Sequence, residues 1–172
     1  LTHITRGCVR LVADGIQVFG LAIGDDRILT FGHSDQVLFK AGTVEVVYGD
    51  IRMILESPEF TRLTVGNAET DLAIVKTNAP FRMTSMVKHF TRSLGSDPIL
   101  VWNTKNGIYT QSVSNVQALG AATTAEGTWS HDCVSYNAHT GSGTCGGALC
   151  VKVGGMYKIL GMHVAGNGFI GR

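Results

Sequence analysis

Several things are scarce in this chain, and each scarcity excludes something. Only three prolines occur among 172 residues, beside 22 glycines. That excludes a proline-rich or collagen-like chain and suits many tight turns between short strands. No apolar run approaches the roughly 18 residues of a membrane-spanning helix, so no membrane partner is expected. Charged residues make up only 16% and the net charge is +1, against 44% hydrophobic content. Such a balance describes a packed globular chain rather than a disordered one, and it demands no strongly charged partner. No apolar periodicity sustains a helix of three turns, and there is no internal repeat or low-complexity segment.

Cysteine is sparse too: Cys8, Cys133, Cys145 and Cys150. An even count permits two disulfides, but Leu1–Arg6 is polar and lacks the pattern of a secretory leader. The expectation is four thiols in a reducing compartment. A zinc site has candidate ligands in Cys133, His139, Cys145, Cys150 and His163, yet no Cys-x-x-Cys or His-x3-His spacing joins them. No metal and no cofactor is expected.

What is present reads as β-structure. Cys8–Val12 and Ile16–Ile23 flank Asp14-Gly15, a strong hairpin signal. Arg27–Phe31, Thr43–Tyr48, Ile51–Leu55, Phe60–Val65 and Asp71–Lys76 follow at strand spacing. The rhythm breaks from Thr77 to Asp97, which holds Pro80 and reads as a connection with one helical turn near Ser85–His89. It resumes with Ile99–Asn103, Ile108–Val113 across Lys105-Asn106-Gly107 with its Asn-Gly hairpin signal, Trp129–Tyr136, and a last hairpin of Ala148–Val153 and Met156–Val164 across Gly154-Gly155.

The chemistry gathers at Thr140-Gly-Ser-Gly-Thr-Cys-Gly-Gly147. Glycines on both sides of Cys145 allow a side chain to stand clear and backbone amides to converge. A cysteine attacking a carbonyl needs both, with the amides of Gly143, Thr144 and Cys145 as donors to the developing oxyanion. The bland alternative is a flexible loop around a small buried thiol. A base and an orienting acid favour catalysis: His33 follows the strand Arg27–Phe31, and Asp71 opens the strand Asp71–Lys76. Glu69 is the alternative acid. The order His, Asp, Cys is that of trypsin-like double barrels.

On these residues the chain resembles the 3C-like cysteine proteases of picornaviruses and related positive-strand RNA viruses. The likeness rests on the His33 segment, Asp71-Leu-Ala-Ile-Val75, Gly143-Thr-Cys-Gly-Gly147 and Gly161-Met-His-Val-Ala-Gly-Asn167. It implies an all-β fold of two six-stranded antiparallel barrels, chymotrypsin-like, with the active site between them. The expected division is an N-terminal barrel over 1–78, a linker over 79–98 and a C-terminal barrel over 99–172. It further implies a cysteine endopeptidase cutting a viral polyprotein after glutamine, with glutamate as the alternative, in the host cell cytoplasm. His163 and Thr140 would read the glutamine, and Val164, Ala165, Gly166 and Asn167 would complete the substrate site.

The acid-free stretch from Leu72 to Ser96 carries Arg82, Lys88 and Arg92. It raises viral RNA as a second partner, although Pro80-Phe-Arg-Met83 matches the family's basic linker motif only in part. An RNA-binding module and an inactive interaction protein that keeps the barrels are the competing readings. The first predicts a basic patch and the second a broken triad.

Overall fold

The computed structural model describes all residues except 39–41, 66–67, 78–81, 124–128, 141–143, 165–169 and 172. Seven strands fill the first half: β1 (Cys8–Ala13), β2 (Ile16–Gly24), β3 (Arg27–Phe31), β4 (Thr43–Tyr48), β5 (Ile51–Glu56), β6 (Glu59–Val65) and β7 (Ala68–Lys76). They form one antiparallel sheet in the order β5-β4-β1-β2-β3-β7-β6. Seven more follow: β8 (Ser96–Thr104), β9 (Gly107–Ser112), β10 (Ser114–Thr123), β11 (Trp129–Asn137), β12 (Ala148–Val153), β13 (Met156–Met162) and β14 (Ile170–Gly171). These divide into a sheet β13-β12-β8-β9 and a ribbon β10-β11-β14. Among the described residues each half thus holds seven strand segments, the two-residue β14 included, within the two-barrel architecture expected.

Local chemistry sets the turns. Asp14 and Gly15 both take positive φ (50° and 76°), as a two-residue hairpin matching strand twist requires, and Ala13 pairs with Ile16 across them. Gly154 and Gly155 repeat this between β12 and β13. Asn106-Gly107 behaves differently. Thr104 pairs with Gly107, so the loop is Lys105-Asn106. The Thr104 hydroxyl holds it, donating to the Gly107 carbonyl at 2.7 Å and accepting the Asn106 amide at 3.2 Å.

Three packed clusters follow from strand alternation. Val9, Leu11, Ile28, Val44, Val46 and Val75 fill the first barrel. Phe19, Leu100, Trp102, Tyr136 and Leu149 fill the second, with Phe19 contributed by β2. Ile4, Cys8, Leu21, Met86, Val101 and Cys150 form the seam between them. β1 is buried on both faces because one lines the first core and the other the seam. Each fully buried side chain of this kind contributes about 1.5–3 kcal/mol.

The connecting segment is sewn to both halves. The Met83 amide donates to Asp25 O (3.0 Å) and the Met86 amide to Ala22 O (2.8 Å), both at the end of β2. One 3₁₀ turn follows at Val87–His89. Then the Thr91 amide donates to Ile159 O (2.9 Å), and Phe90 bridges β13 at the same residue.

Candidate active site

β3 leads directly into a single turn, Gly32–Ser34, whose Ser34 hydroxyl donates back to Phe31 O at 2.6 Å. Phe31 pairs with Leu72 of β7, and this register sets the turn over Asp71. The approach is close: a Cβ on Gly32 would stand 3.0 Å from Asp71 Oδ1. Asp71 is fully buried. Its Oδ1 accepts the His33 backbone amide and its Oδ2 accepts ring Nδ1–H, both at 2.9 Å. Two donors on one residue fix the imidazole's position and tautomer together. With Nδ1 committed to Asp71, Nε2 is the ring nitrogen left to face Cys145.

The Cys145 thiol meets His33 as a hydrogen-bond partner. The imidazole's pKa rises from 6.5 to about 9. The Asp71 hydrogen bond is the largest cause and the Cys145 contact the next, while burial opposes them. The thiol is half-buried, and its Sγ also lies 3.3 Å from Val164 O. By contrast, burial pushes Cys8 and Cys150 up to about 12, leaving them without useful thiolate. The side chain of Cys133 lies outside the described residues.

The turn that carries Cys145 is clamped by three hydrogen bonds, one from Trp102 and two with the His163 backbone. Trp102 Nε1–H donates to Thr144 O (2.7 Å), the Gly146 amide to His163 O (2.7 Å), and the His163 amide to Gly147 O (2.8 Å). Gly146 has φ +95°, and a Cβ there would lie 2.0 Å from Phe19 O. A Cβ on Gly147 would lie 2.3 Å from the Trp102 indole nitrogen. Both glycines are therefore required by close approach as well as by conformation.

These backbone bonds also bring His163 beside the turn. It is 1% exposed and forms a short hydrogen bond from Nδ1 to the Tyr136 hydroxyl. Burial lowers its pKa from 6.5 to about 4 and raises that of Tyr136. At neutral pH the imidazole is uncharged and carries one ring proton; where the phenol O–H donates to Nδ1, that proton sits on Nε2. Sequence reasoning gave Tyr136 only as a strand residue. The available signal was its hydroxyl, since a buried tyrosine O–H needs a partner.

His33, Asp71 and Cys145 thus come together, as do His163, Val164 and the loop around Cys145. Thr140 is half-buried, next to His139, whose carbonyl accepts Gln111 Nε2 at 2.8 Å. Gly143, Ala165, Gly166 and Asn167 lie outside the described residues, as does the side chain of Glu69. Among the described residues no group of three or more His, Cys, Asp or Glu is placed to hold a metal, and no helix is long and apolar enough to cross a membrane.

A thiol in contact with an imidazole, on a chymotrypsin-like pair of barrels, defines a cysteine peptidase. The family model for 3C cysteine protease (picornain 3C) matches residues 4–168, and the chain belongs to that family. It is 40% identical over 146 residues to the genome polyprotein of Human parechovirus 2 (strain Williamson), covering 85% of this chain and 7% of the polyprotein. With the genome polyprotein of Ljunganvirus 1 it shares 32% identity over 152 residues, covering 88% of this chain and 7% of that one. The chain therefore spans a small part of the polyproteins it matches. The solved HRV-C 3C protein with rupintrivir superposes with a TM-score of 0.76 at 20% identity, over 98% of this chain and 90% of that one. Catalytically active tobacco etch virus protease complexed with product gives 0.64 at 20% identity, over 98% and 72%. At such identities these two likenesses concern the fold alone.

Proposed function

We propose that this chain is the endopeptidase segment of a viral polyprotein and cleaves that polyprotein after glutamine, with glutamate a poorer substrate, in the host cell cytoplasm. Cys145 Sγ attacks the scissile carbonyl while His33 Nε2 takes the thiol proton. Backbone N–H groups of Gly143, Thr144 and Cys145 receive the oxyanion. The C–N bond then breaks and His33 returns the proton to the leaving amine. Water, deprotonated by His33, hydrolyses the thioester and frees the new carboxyl terminus. Asp71 holds the imidazole in its working tautomer and stabilises the imidazolium.

The observation that carries the glutamine reading is the buried, uncharged His163 with Nδ1 occupied by Tyr136. Nε2–H is then a neutral donor suited to an amide oxygen, and the Thr140 hydroxyl would supply a second. A cationic imidazole would favour glutamate instead. The segment Val164, Ala165, Gly166 and Asn167 would pair with the substrate backbone as an added strand. A side chain lacking the carbonyl leaves buried donors unpaired, which sites of this kind reject by about 10⁴–10⁵. Peptides with Gln, Glu or Leu before the cut, assayed on wild type and His163→Ala, test this. Undiminished preference for Gln over Leu in the mutant would remove His163 from the pocket.

A second surface favours an RNA partner. His89 packs edge-on against His3 (4.8 Å between ring centroids). Burial first, then the basic neighbours His3, Lys88, Lys158 and Arg6, lower its pKa. Converging cations of this kind suit phosphate oxygens. Lys88 belongs to this cluster, whereas Arg82 pairs with Asp25 at 3.0 Å. Lys88→Glu should weaken binding of a fluorescent RNA and flatten its salt dependence. If both stay unchanged, the cluster is only a solvated face.

A further inference from the structure

An apolar groove of about 710 Å³ is lined from both barrels, and Cys145 is not part of its lining. Leu29 and Leu72 come from the first barrel, Leu160 and Met162 from β13, and Phe90 and Leu94 from the connecting segment. The volume falls within the roughly 300–1,000 Å³ of small-molecule sites. Three further features specify what would fill it. Arg92 is the one charged residue in the lining, is exposed, and makes no ion pair among the described residues. No acidic residue lies between Leu72 and Ser96 to supply one locally. Phe90 and Leu94 are each 40% exposed at the rim.

The floor is open as well: a Cβ on Gly161 would meet nothing within 4 Å. Main-chain pairing is already used here, because Phe90 and Thr91 occupy β13 at Ile159. A peptide would find little backbone to pair with, whereas an aliphatic chain needs none. We propose that the groove binds a small amphipathic carboxylate, its chain among the leucines and its headgroup on the Arg92 guanidinium. A single planar guanidinium matches a carboxylate with two parallel hydrogen bonds. The occupant would touch both barrels and the segment joining them, so it would act as a wedge or a glue on their packing.

Titration calorimetry with decanoate tests this on the intact chain, with decanol and decyltrimethylammonium as neutral and cationic counterparts. Decanoate should bind saturably at one site. Arg92→Glu should weaken it by about ten- to a hundredfold, the scale of a charge-assisted contact, and Gly161→Phe should abolish it. Leu29→Trp fills the same space, should Gly161→Phe fail to fold. Equal affinity for the cationic chain would overturn the proposal. So would the absence of saturable binding, or decanoate binding that survives a folded groove-filling variant.

Discussion

Removing one oxygen, in Tyr136→Phe, isolates the device that the proposed glutamine pocket depends on. Tyr136 is 1% exposed and its ring fills the second barrel, so phenylalanine keeps the packing. The loss is the O–H that donates to His163 Nδ1. A buried acceptor left unpaired costs about 1–3 kcal/mol. The imidazole can recover part of that by moving its proton to Nδ1, which removes the donor from Nε2. Either way the substrate amide loses its preset partner, and kcat/KM for a glutamine peptide should fall about 5- to 150-fold. Discrimination against leucine should shrink by a similar factor. The thiol should be untouched, so iodoacetamide should modify Cys145 at the wild-type rate. Stopped-flow alkylation and a matched Gln/Leu peptide pair give both readouts on one preparation. If the variant keeps the full Gln/Leu ratio, Tyr136 does not set the His163 tautomer and the account of the pocket fails. If alkylation slows in parallel, the substitution has disturbed the nucleophile turn instead.

Other substitutions test the rest of the site. Iodoacetamide should label Cys145 ahead of Cys8 and Cys150, whose thiols burial holds near 12, and mass mapping would reveal a different order. Cys145→Ala should stop cleavage, a loss on the order of a million-fold, with the melting temperature little changed. Asp71→Asn should cut peptide turnover by up to about 10⁴-fold, and a larger loss in Glu69→Gln would transfer the role to Glu69. The pKa of His33 is raised in the fold, so its stabilisation is complete below about pH 6.5 and fades as pH rises through about 9. Asp71→Asn should therefore lower the melting temperature more at pH 6 than at pH 9.5; an equal loss would separate the carboxylate from the imidazole's charge. His163 runs the other way: its lowered pKa gives stability present above about pH 6.5 and lost as pH falls through about 4. Gly146→Ala should destabilise the chain and inactivate it together, because the added methyl meets the Phe19 carbonyl.

Much of this was legible in the sequence because it rests on local rules. Asp14-Gly15 and Gly154-Gly155 announce hairpins through backbone angles that few other residues adopt. The alternation of Thr43–Tyr48 announces a half-buried strand. His33, Asp71 and Cys145 could be singled out because their residue types and flanking strands carry the chemistry. What was hidden depends on register between distant segments. Nothing near Tyr136 says that its hydroxyl meets His163, since that follows only once the β11 and β13 regions fold against each other. Trp102 reads as a core aromatic, and only the assembled barrel shows its indole N–H holding the Thr144 carbonyl. The Lys105-Asn106-Gly107 turn lies where it was expected, with Gly107 itself joining β9 opposite Thr104. Arg82 read as one of the basic residues of the connecting stretch, and Asp25, far away in the chain, is its neighbour.

The distribution of the reacting groups along the chain has a consequence for timing. The imidazole and carboxylate belong to the sheet of the first 76 residues, while the thiol stands on a turn held by Trp102 and His163 from the other half. During synthesis the first barrel can close before the nucleophile has left the ribosome. Yet Phe19 of that barrel is packed into the second, and the Gly146 turn presses on its carbonyl. The thiol therefore reaches its place beside the imidazole only when the late half docks on the early one. The pairing of thiol and imidazole thus marks completed assembly, and a nascent chain carrying only the first half holds the His33–Asp71 pair without its thiol partner.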